Sequence, residues 1–492
     1  MKPTTTVSSR TDPFVTPVAV ARDDSPNPSA FWGMASICWL ASVFILYSRF
    51  FDLVLKGLYI PRVVISLMLL FFAISGRPLV FLRSGVGKIM LVFLSWASFT
   101  LIFSVWKGGS LPFYFELLIS LLFFAVAASL PNTISNAKKS HYALAFSGLL
   151  AALMSIPLGA DLNGRLALRD GSYADPNYYA LGLLAIVPFF WEMAASTKSN
   201  AVKAFAWLSL VPICWALIKT GSRGAMFGLV AMLLVLLVIS PLKKKIVLVL
   251  VCAIGLATVI VTVPDYLRAR YFTIFSLDSG HAKGDSSDLD RLRSDINSSE
   301  GRKLLLMESI ALTLEHPLVG VGLGNFQAAV YDEAKAKGIV HNEWMATHNS
   351  YTQISCETGL PGLFLVLCLI GVSFNNVRCV LKGAAPAGDK PDIAAYAAAK
   401  SLLLSLAVVC TCAFFLAVGY EFTIYLWAGL TVSLRRVYEQ SKVTAALPES
   451  ETRDLANSQP VFAPVYAKIK DRSTQPPMPR DPARSVRFNR FR

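Results

Sequence analysis

Three short stretches of this chain hold residue types that could bind or turn over an anionic or hydroxyl-bearing ligand. Thr220-Gly221-Ser222-Arg223-Gly224-Ala225 places one arginine between glycines at the edge of an apolar run. Glycine lets a ligand approach the backbone, and a guanidinium grips phosphate or carboxylate through two parallel hydrogen bonds. An arginine snorkelling to a membrane interface fits the same residues, and the two readings stand nearly even; the break from apolar run into Gly-Ser-Arg-Gly tilts toward a ligand. Gly301-Arg302 precedes a helix-compatible run, where an arginine at a helix N-terminus would be joined by exposed N–H donors for an anion. An arginine on a solvated helical face is the plainer account of that pair. Thr347-His348-Asn349-Ser350-Tyr351, followed by Glu357-Thr358-Gly359, supplies a histidine able to accept a proton near neutral pH. His348 and Glu357 lie nine residues apart, about two and a half helical turns, so a helix would set them on related faces. By itself a lone histidine before a helix is more often a neighbour of its cap.

A fourth stretch, Glu315-His316-Pro317-Leu318-Val319-Gly320-Val321-Gly322-Leu323-Gly324-Asn325-Phe326, imitates a dinucleotide-binding fingerprint. No strand-turn-helix unit surrounds it, so that reading fails. Gly320, Gly322 and Gly324 read instead as structural glycines of a tight turn packed on its surroundings, with His316 at a helix C-terminus. The eight cysteines show neither a disulfide framework nor metal-type spacing. Seven sit in or beside apolar runs, and only Cys356 falls in a polar connection. No carboxylate pair has a convincing metal spacing, so no metal and no cofactor is expected.

The elements that must position these residues are membrane spans. Of 492 residues 54% are hydrophobic and only 16% charged, with a mean hydropathy of +0.54. Soluble domains are nearer a quarter charged, and apolar runs of roughly 20 residues fit a bilayer core. About twelve spans are expected, near 31–48, 59–75, 89–106, 111–130, 141–159, 178–196, 204–220, 224–241, 246–263, 360–377, 399–418 and 421–434. The predicted fold is an all-α polytopic bundle. Lysine and arginine mark the cytoplasmic side of short loops. They favour the connections holding Arg77, Arg83 and Lys88, Lys138 and Lys139, Lys198 and Lys203, Lys243 to Lys245, and Arg378, Lys382 and Lys390. Both termini then lie in the cytoplasm. The polar stretch 1–30 lacks the basic and apolar regions of a cleavable signal peptide and is expected to be disordered.

Spans 31–263 and 359–436 bracket one large outward loop, 264–358, holding nine Lys/Arg, thirteen Asp/Glu and four of the five histidines. Its net contribution is 9 − 13 = −4, so the whole-chain charge of +15 lies on cytoplasmic connections and tails. That distribution reports topology rather than nucleic acid; the basic tail could also meet anionic membrane lipid, although a solvated tail is the plainer account. Segment 278–300, rich in Asp, Ser and Gly, reads as mobile. A helix is expected over 302–315, a second capped by Asn325 through Lys337, and a third opened by Asn349 or Ser350 and ended at Gly359. The tail 437–492 holds seven prolines and a closing run of arginines, and is read as disordered.

Taken in order, Ser222-Arg223-Gly224, Gly301-Arg302, His316-Pro317-Leu318 with Gly320, Gly322, Gly324, Asn325 and Phe326, and His348-Asn349 with Glu357, Gly359 and Gly362 resemble the O-antigen ligase and polymerase superfamily. Asp175-Pro176-Asn177-Tyr178 with Ala180 is similar to that family's pattern at the head of its span. The resemblance covers roughly 170–380. It implies a multi-pass protein of the bacterial inner membrane whose active site faces the periplasm. Such enzymes transfer glycan from an undecaprenyl-diphosphate carrier to a sugar hydroxyl on a glycan or lipid A-core acceptor, without metal. Carried over by position, Arg223 and Arg302 would hold the diphosphate, and His348 would take or orient the proton of the attacking hydroxyl. Asp175, Asn349 and Glu357 would support them. The acceptor surface lies in weakly patterned sequence, so ligase and polymerase both remain open. A secondary transporter would also fit twelve spans with inside termini, but it needs ionisable groups near the midplane. Arg62, Glu116, Glu192 and Glu421 fall within spans, all near span ends. An envelope scaffold would need the loop but no Arg/His constellation.

Overall fold

Polar residues stand where the apolar runs begin, and their side chains start the helices. Ser84 accepts from Gly87 N at 2.9 Å, Thr133 from Asn136 N at 3.1 Å and Asp392 from Ala395 N at 2.9 Å. Each satisfies an N–H that the first helical turn leaves without a partner. The computed structural model describes residues 30–250 apart from 56, 163, 244 and 247, together with 253, 286–336, 338, 345–386 and 391–446. Most of the ninth expected span, His281, His341, Cys252, the loop up to 285 and the tails 1–29 and 447–492 lie outside the described residues.

In chain order the elements are α1 (Ala30–Ser48), α2 (Phe50–Val54), α3 (Ile60–Ile74), α4 (Gly85–Thr100), α5 (Lys107–Ser129), α6 (Ile134–Leu158), β1 (Gly159–Leu162), β2 (Arg165–Leu168), α7 (Pro176–Ala195), α8 (Asn200–Thr220) and α9 (Arg223–Ile239). There follow α10 (Ser286–Glu315), α11 (Phe326–Ala336), α12 (Ser350–Gly383), α13 (Ile393–Cys412) and α14 (Phe422–Ala446). Among the described residues eight helices are long and apolar enough to cross a membrane, and α3 and α9 are shorter apolar helices. The protein is thus an all-α polytopic bundle, with one addition: β1 and β2 form a small antiparallel hairpin. The last helix runs on to Ala446, past the expected end of the final span.

Met1–Val443 form one unit, to which everything below belongs. Helices α7 and α13 pack against each other at its centre and are buried along most of their length. Alanines on α13 (Ala395, Ala398, Ala399) are fully buried, and small residues of this kind let helix backbones approach closely inside a bilayer. Peripheral α8 and α9 instead turn Leu208, Val211 and Val238 outward, as a lipid-facing surface requires. Away from the motif-bearing end, His141 Nδ1 and Glu192 Oε2 lie 2.9 Å apart, both fully buried, and Ser401 Oγ donates to the same carboxylate oxygen at 2.6 Å. This pairing ties α6, α7 and α13.

Three loop expectations need correction. Helix α10 starts at Ser286, not Arg302, so part of the segment expected to be mobile is helical. Asn325 precedes α11, yet its side chain donates to Ser104 Oγ at 2.6 Å and to the Trp106 carbonyl at 3.1 Å. Its amide cross-links two connections, and no cap is needed from it because the Glu357 carboxylate accepts from Phe326 N at 3.4 Å. The third loop helix does end at Gly359 as expected: non-helical backbone there (φ 74°, ψ 175°) divides α12 into 350–358 and a second helix that runs on to Gly383. Cys356, expected in a polar connection, is fully buried in the first of these.

Candidate functional site

Asp175 opens the site by capping α7, accepting from Asn177 N at 2.6 Å and Tyr178 N at 3.4 Å. The cap turns the Asn177 side chain toward the start of α9. There its Oδ1 accepts from Ser222 Oγ at 3.0 Å and from Arg165 Nη2 at 2.7 Å. Arg165 also donates through Nε to the Thr220 carbonyl at 2.8 Å. Ser222 in turn caps α9, accepting from Ala225 N at 3.3 Å. Arg223, the first residue of α9, is thereby fixed by the hairpin, α7 and α8 together. Arg165 and Asn177 had no role in the sequence reading beyond Asn177's place in a motif. Nothing local marks them, because their meeting depends on the hairpin folding back.

Arg302 lies in the interior of α10 and not at a helix N-terminus. Its own helix therefore supplies no exposed N–H groups beside it, unlike the expectation. It is half-buried, and its electrostatic neighbours are Arg223 and Asp175. Burial first, then the Arg223 charge, lower its pKa from the ordinary value, with Asp175 opposing. Two guanidiniums from separate elements thus lie within electrostatic reach of each other, an arrangement that favours an anion nearby.

His348 completes the group. It sits immediately before α12 with φ 49°, in the left-handed region that histidine enters more readily than most residues. Asn349 holds it there by capping α12, accepting from Tyr351 N at 2.9 Å and Thr352 N at 3.2 Å. Burial and the Arg302 charge push the imidazole below its usual pKa, while Asp175 pulls the other way. The side chain is accordingly biased to its neutral form, in which one ring nitrogen can accept a proton. The structure therefore brings Arg302 within electrostatic reach of Arg223, His348 and Asp175, so that four separate segments meet around it.

Glu357 stands apart from this group, and the glycine turn explains why. The bend at Gly359 and the missing N–H of Pro361 interrupt the hydrogen bonding of α12. The freed Cys356 and Glu357 carbonyls accept from Val321 N at 2.8 Å and Gly322 N at 3.0 Å, and Leu360 N donates to the Pro317 carbonyl at 2.8 Å. The Glu357 carboxylate, 2% exposed, accepts from Gly324 N at 2.8 Å. Gly320, Gly322 and Gly324 all have positive φ (67°, 99° and 68°). A Cβ on Gly324 would strike the ring of Phe113, and one on Gly322 the side chain of Ser104. The turn is thus moulded between α12 and the connection before α5, and it fixes where α10 ends and α11 begins. Glu357 and His348 share a helix start but serve different neighbours.

Residues 207–367 match the family model described as O-antigen ligase. The matched stretch takes in Arg223, Arg302, the glycine turn, His348, Asn349 and Glu357, and leaves out Asp175. No curated protein matches the chain.

Proposed function

We propose that this chain, a member of the O-antigen ligase superfamily by its match over residues 207–367, is a glycan transferase of ligase type. Its substrate would be a polysaccharide carried on undecaprenyl diphosphate, and its acceptor a sugar hydroxyl on a glycan or lipid A-core. The observation that carries this reading is that Arg302, on α10, lies within electrostatic reach of Arg223, His348 and Asp175. Loop residues and helix starts far apart in sequence contribute the cations a diphosphate needs and a base an alcohol needs.

In this mechanism the acceptor oxygen attacks the anomeric carbon of the donor sugar. A new C–O glycosidic bond forms as the anomeric C–O bond to phosphate breaks. The bonding pair leaves with the diphosphate, whose growing charge Arg223 and Arg302 neutralise. His348 takes the hydroxyl proton, becomes imidazolium and returns it to solvent or the departing diphosphate. Asp175 stabilises that imidazolium and orients the group. The site would face the periplasm of a bacterial inner membrane, with both termini in the cytoplasm.

The test is a deletion strain complemented by wild type, Arg223→Ala, Arg302→Ala or His348→Ala. Accumulation of free lipid-linked polymer in the deletion strain supports the ligase. A single repeat unit left on carrier or core identifies a polymerase instead. Normal glycan product from all three variants would overturn the assignment.

A further inference from the structure

A cavity of about 210 Å³ opens beside His348, lined by Glu116 of α5, Glu421 just before α14, Tyr178, Tyr420, Phe113 and Thr347. Glu116 and Glu421 are close enough to interact, and Tyr178 lies near both of them and near Asp175. Tyr420 is 1% exposed, and its ring meets Phe113 edge-on at 6.3 Å. Its hydroxyl is directed at the Glu357 carboxylate, which also lines the cavity. Thr347 connects this cavity directly to His348, while neither Arg223 nor Arg302 lines it.

We infer that this cavity is the acceptor subsite, and that it binds a neutral sugar ring through Glu116, Glu421 and Tyr420; the inference rests on the transferase reading above. Each carboxyl group presents two oxygens with several lone pairs, and so matches a ligand that offers adjacent hydroxyl donors. Phe113, Tyr178 and Tyr420 offer flat apolar faces for the C–H side of a sugar ring. The volume suits one such unit rather than a chain. Three carboxyl groups, Glu116, Glu357 and Glu421, line the cavity and neither Arg223 nor Arg302 does, so it lacks the cations that a diphosphate needs. The cavity would thus take the acceptor and the paired arginines the donor.

The experiment uses the full chain in lipid nanodiscs. Its donor is the undecaprenyl-diphosphate-linked glycan purified from host membranes, and its acceptor the envelope glycolipid fraction of the deletion strain. Transfer is measured against each substrate separately for wild type, Glu116→Gln, Glu421→Gln, the double variant and Tyr420→Phe. The acceptor concentration for half-maximal transfer is expected to rise about tenfold or more in each glutamine variant, and less in Tyr420→Phe. The donor concentration for half-maximal transfer stays at the wild-type value, which also reports that the variants are folded. Acceptor dependence unmoved in the double variant overturns the subsite alone. A shift confined to donor dependence does the same. Wild-type protein that transfers no glycan overturns the transferase reading and the subsite with it.

Discussion

The Ser222 hydroxyl donates to Asn177 Oδ1 at 3.0 Å, joining the cap of α9 to the first turn of α7. Through this contact the position of Arg223 depends on a residue 45 places away in sequence. Arg165 shares the same oxygen, so one amide carbonyl serves a charged donor and a capping hydroxyl. Asn177→Ala is expected to cost about 1–3 kcal/mol by stripping both donors of their partner. The donor concentration for half-maximal transfer should rise while the pH profile of transfer stays in place. Asn177→Asp keeps an acceptor oxygen there and should lie closer to wild type. Donor titrations with thermal denaturation of the purified protein check both outcomes.

The two arginines should not tolerate lysine. Removing a preorganised donor from developing charge typically costs about 10²–10³-fold in rate, and that loss is expected of Arg302→Ala and Arg223→Ala at normal protein level. Arg302→Lys keeps the charge and discards the planar fork. It should still lose about tenfold or more in transfer, since 1.4 kcal/mol of lost contact is already a factor of ten. Wild-type transfer by Arg302→Lys would show that charge alone suffices.

How much of this could be read without coordinates depends on how local each signal was. Apolar runs such as 31–48, 178–196 and 204–220 became helices at nearly the expected bounds, because a bilayer-length apolar segment with a polar cap carries its own instructions. The glycine turn was legible as a turn, although its docking on the bend at Gly359 was not. Residues 286–300 are so polar that no apolar face announces a helix, and the start of α10 was therefore placed too late. Glu116 and Glu421 looked like isolated charges near span ends. They share a cavity only because α5 and the start of α14 are neighbours in the bundle, a fact with no trace in spacing along the chain. Arg165 was hidden for the same reason.

The histidine should set the acid limb of activity. Burial and Arg302 hold His348 below its ordinary pKa of 6.5, with Asp175 opposing. A lowered pKa keeps the imidazole neutral to lower pH, so transfer should persist below pH 6.5 and then fall about tenfold per unit as the ring protonates. Asp175→Asn removes the opposing carboxylate and should move the limb to still lower pH. The groups facing the ring that are expected to matter are thus Arg302 and Asp175, with opposite signs. Rate–pH profiles from pH 4.5 to 8 at saturating substrates measure both limbs. A limb above pH 6.5, or one that rises in Asp175→Asn, would contradict the assignment of His348 as the base.

Gly324 offers a test of the scaffold independent of the chemistry. Its φ of 68° lies where a Cβ costs about 1–2 kcal/mol, and that Cβ would also meet the ring of Phe113, adding about 1–3 kcal/mol of overpacking. Gly324→Ala should therefore destabilise the protein by about 2–5 kcal/mol. It should also weaken the Gly324 N–Glu357 hydrogen bond that anchors the turn. Removing the ring in Gly324→Ala/Phe113→Ala relieves the clash but not the backbone strain, so stability should return only in part. A double-mutant cycle by thermal denaturation in nanodiscs separates the two contributions. Strict additivity of the two substitutions would mean that the turn moves away from Phe113 instead of pressing on it.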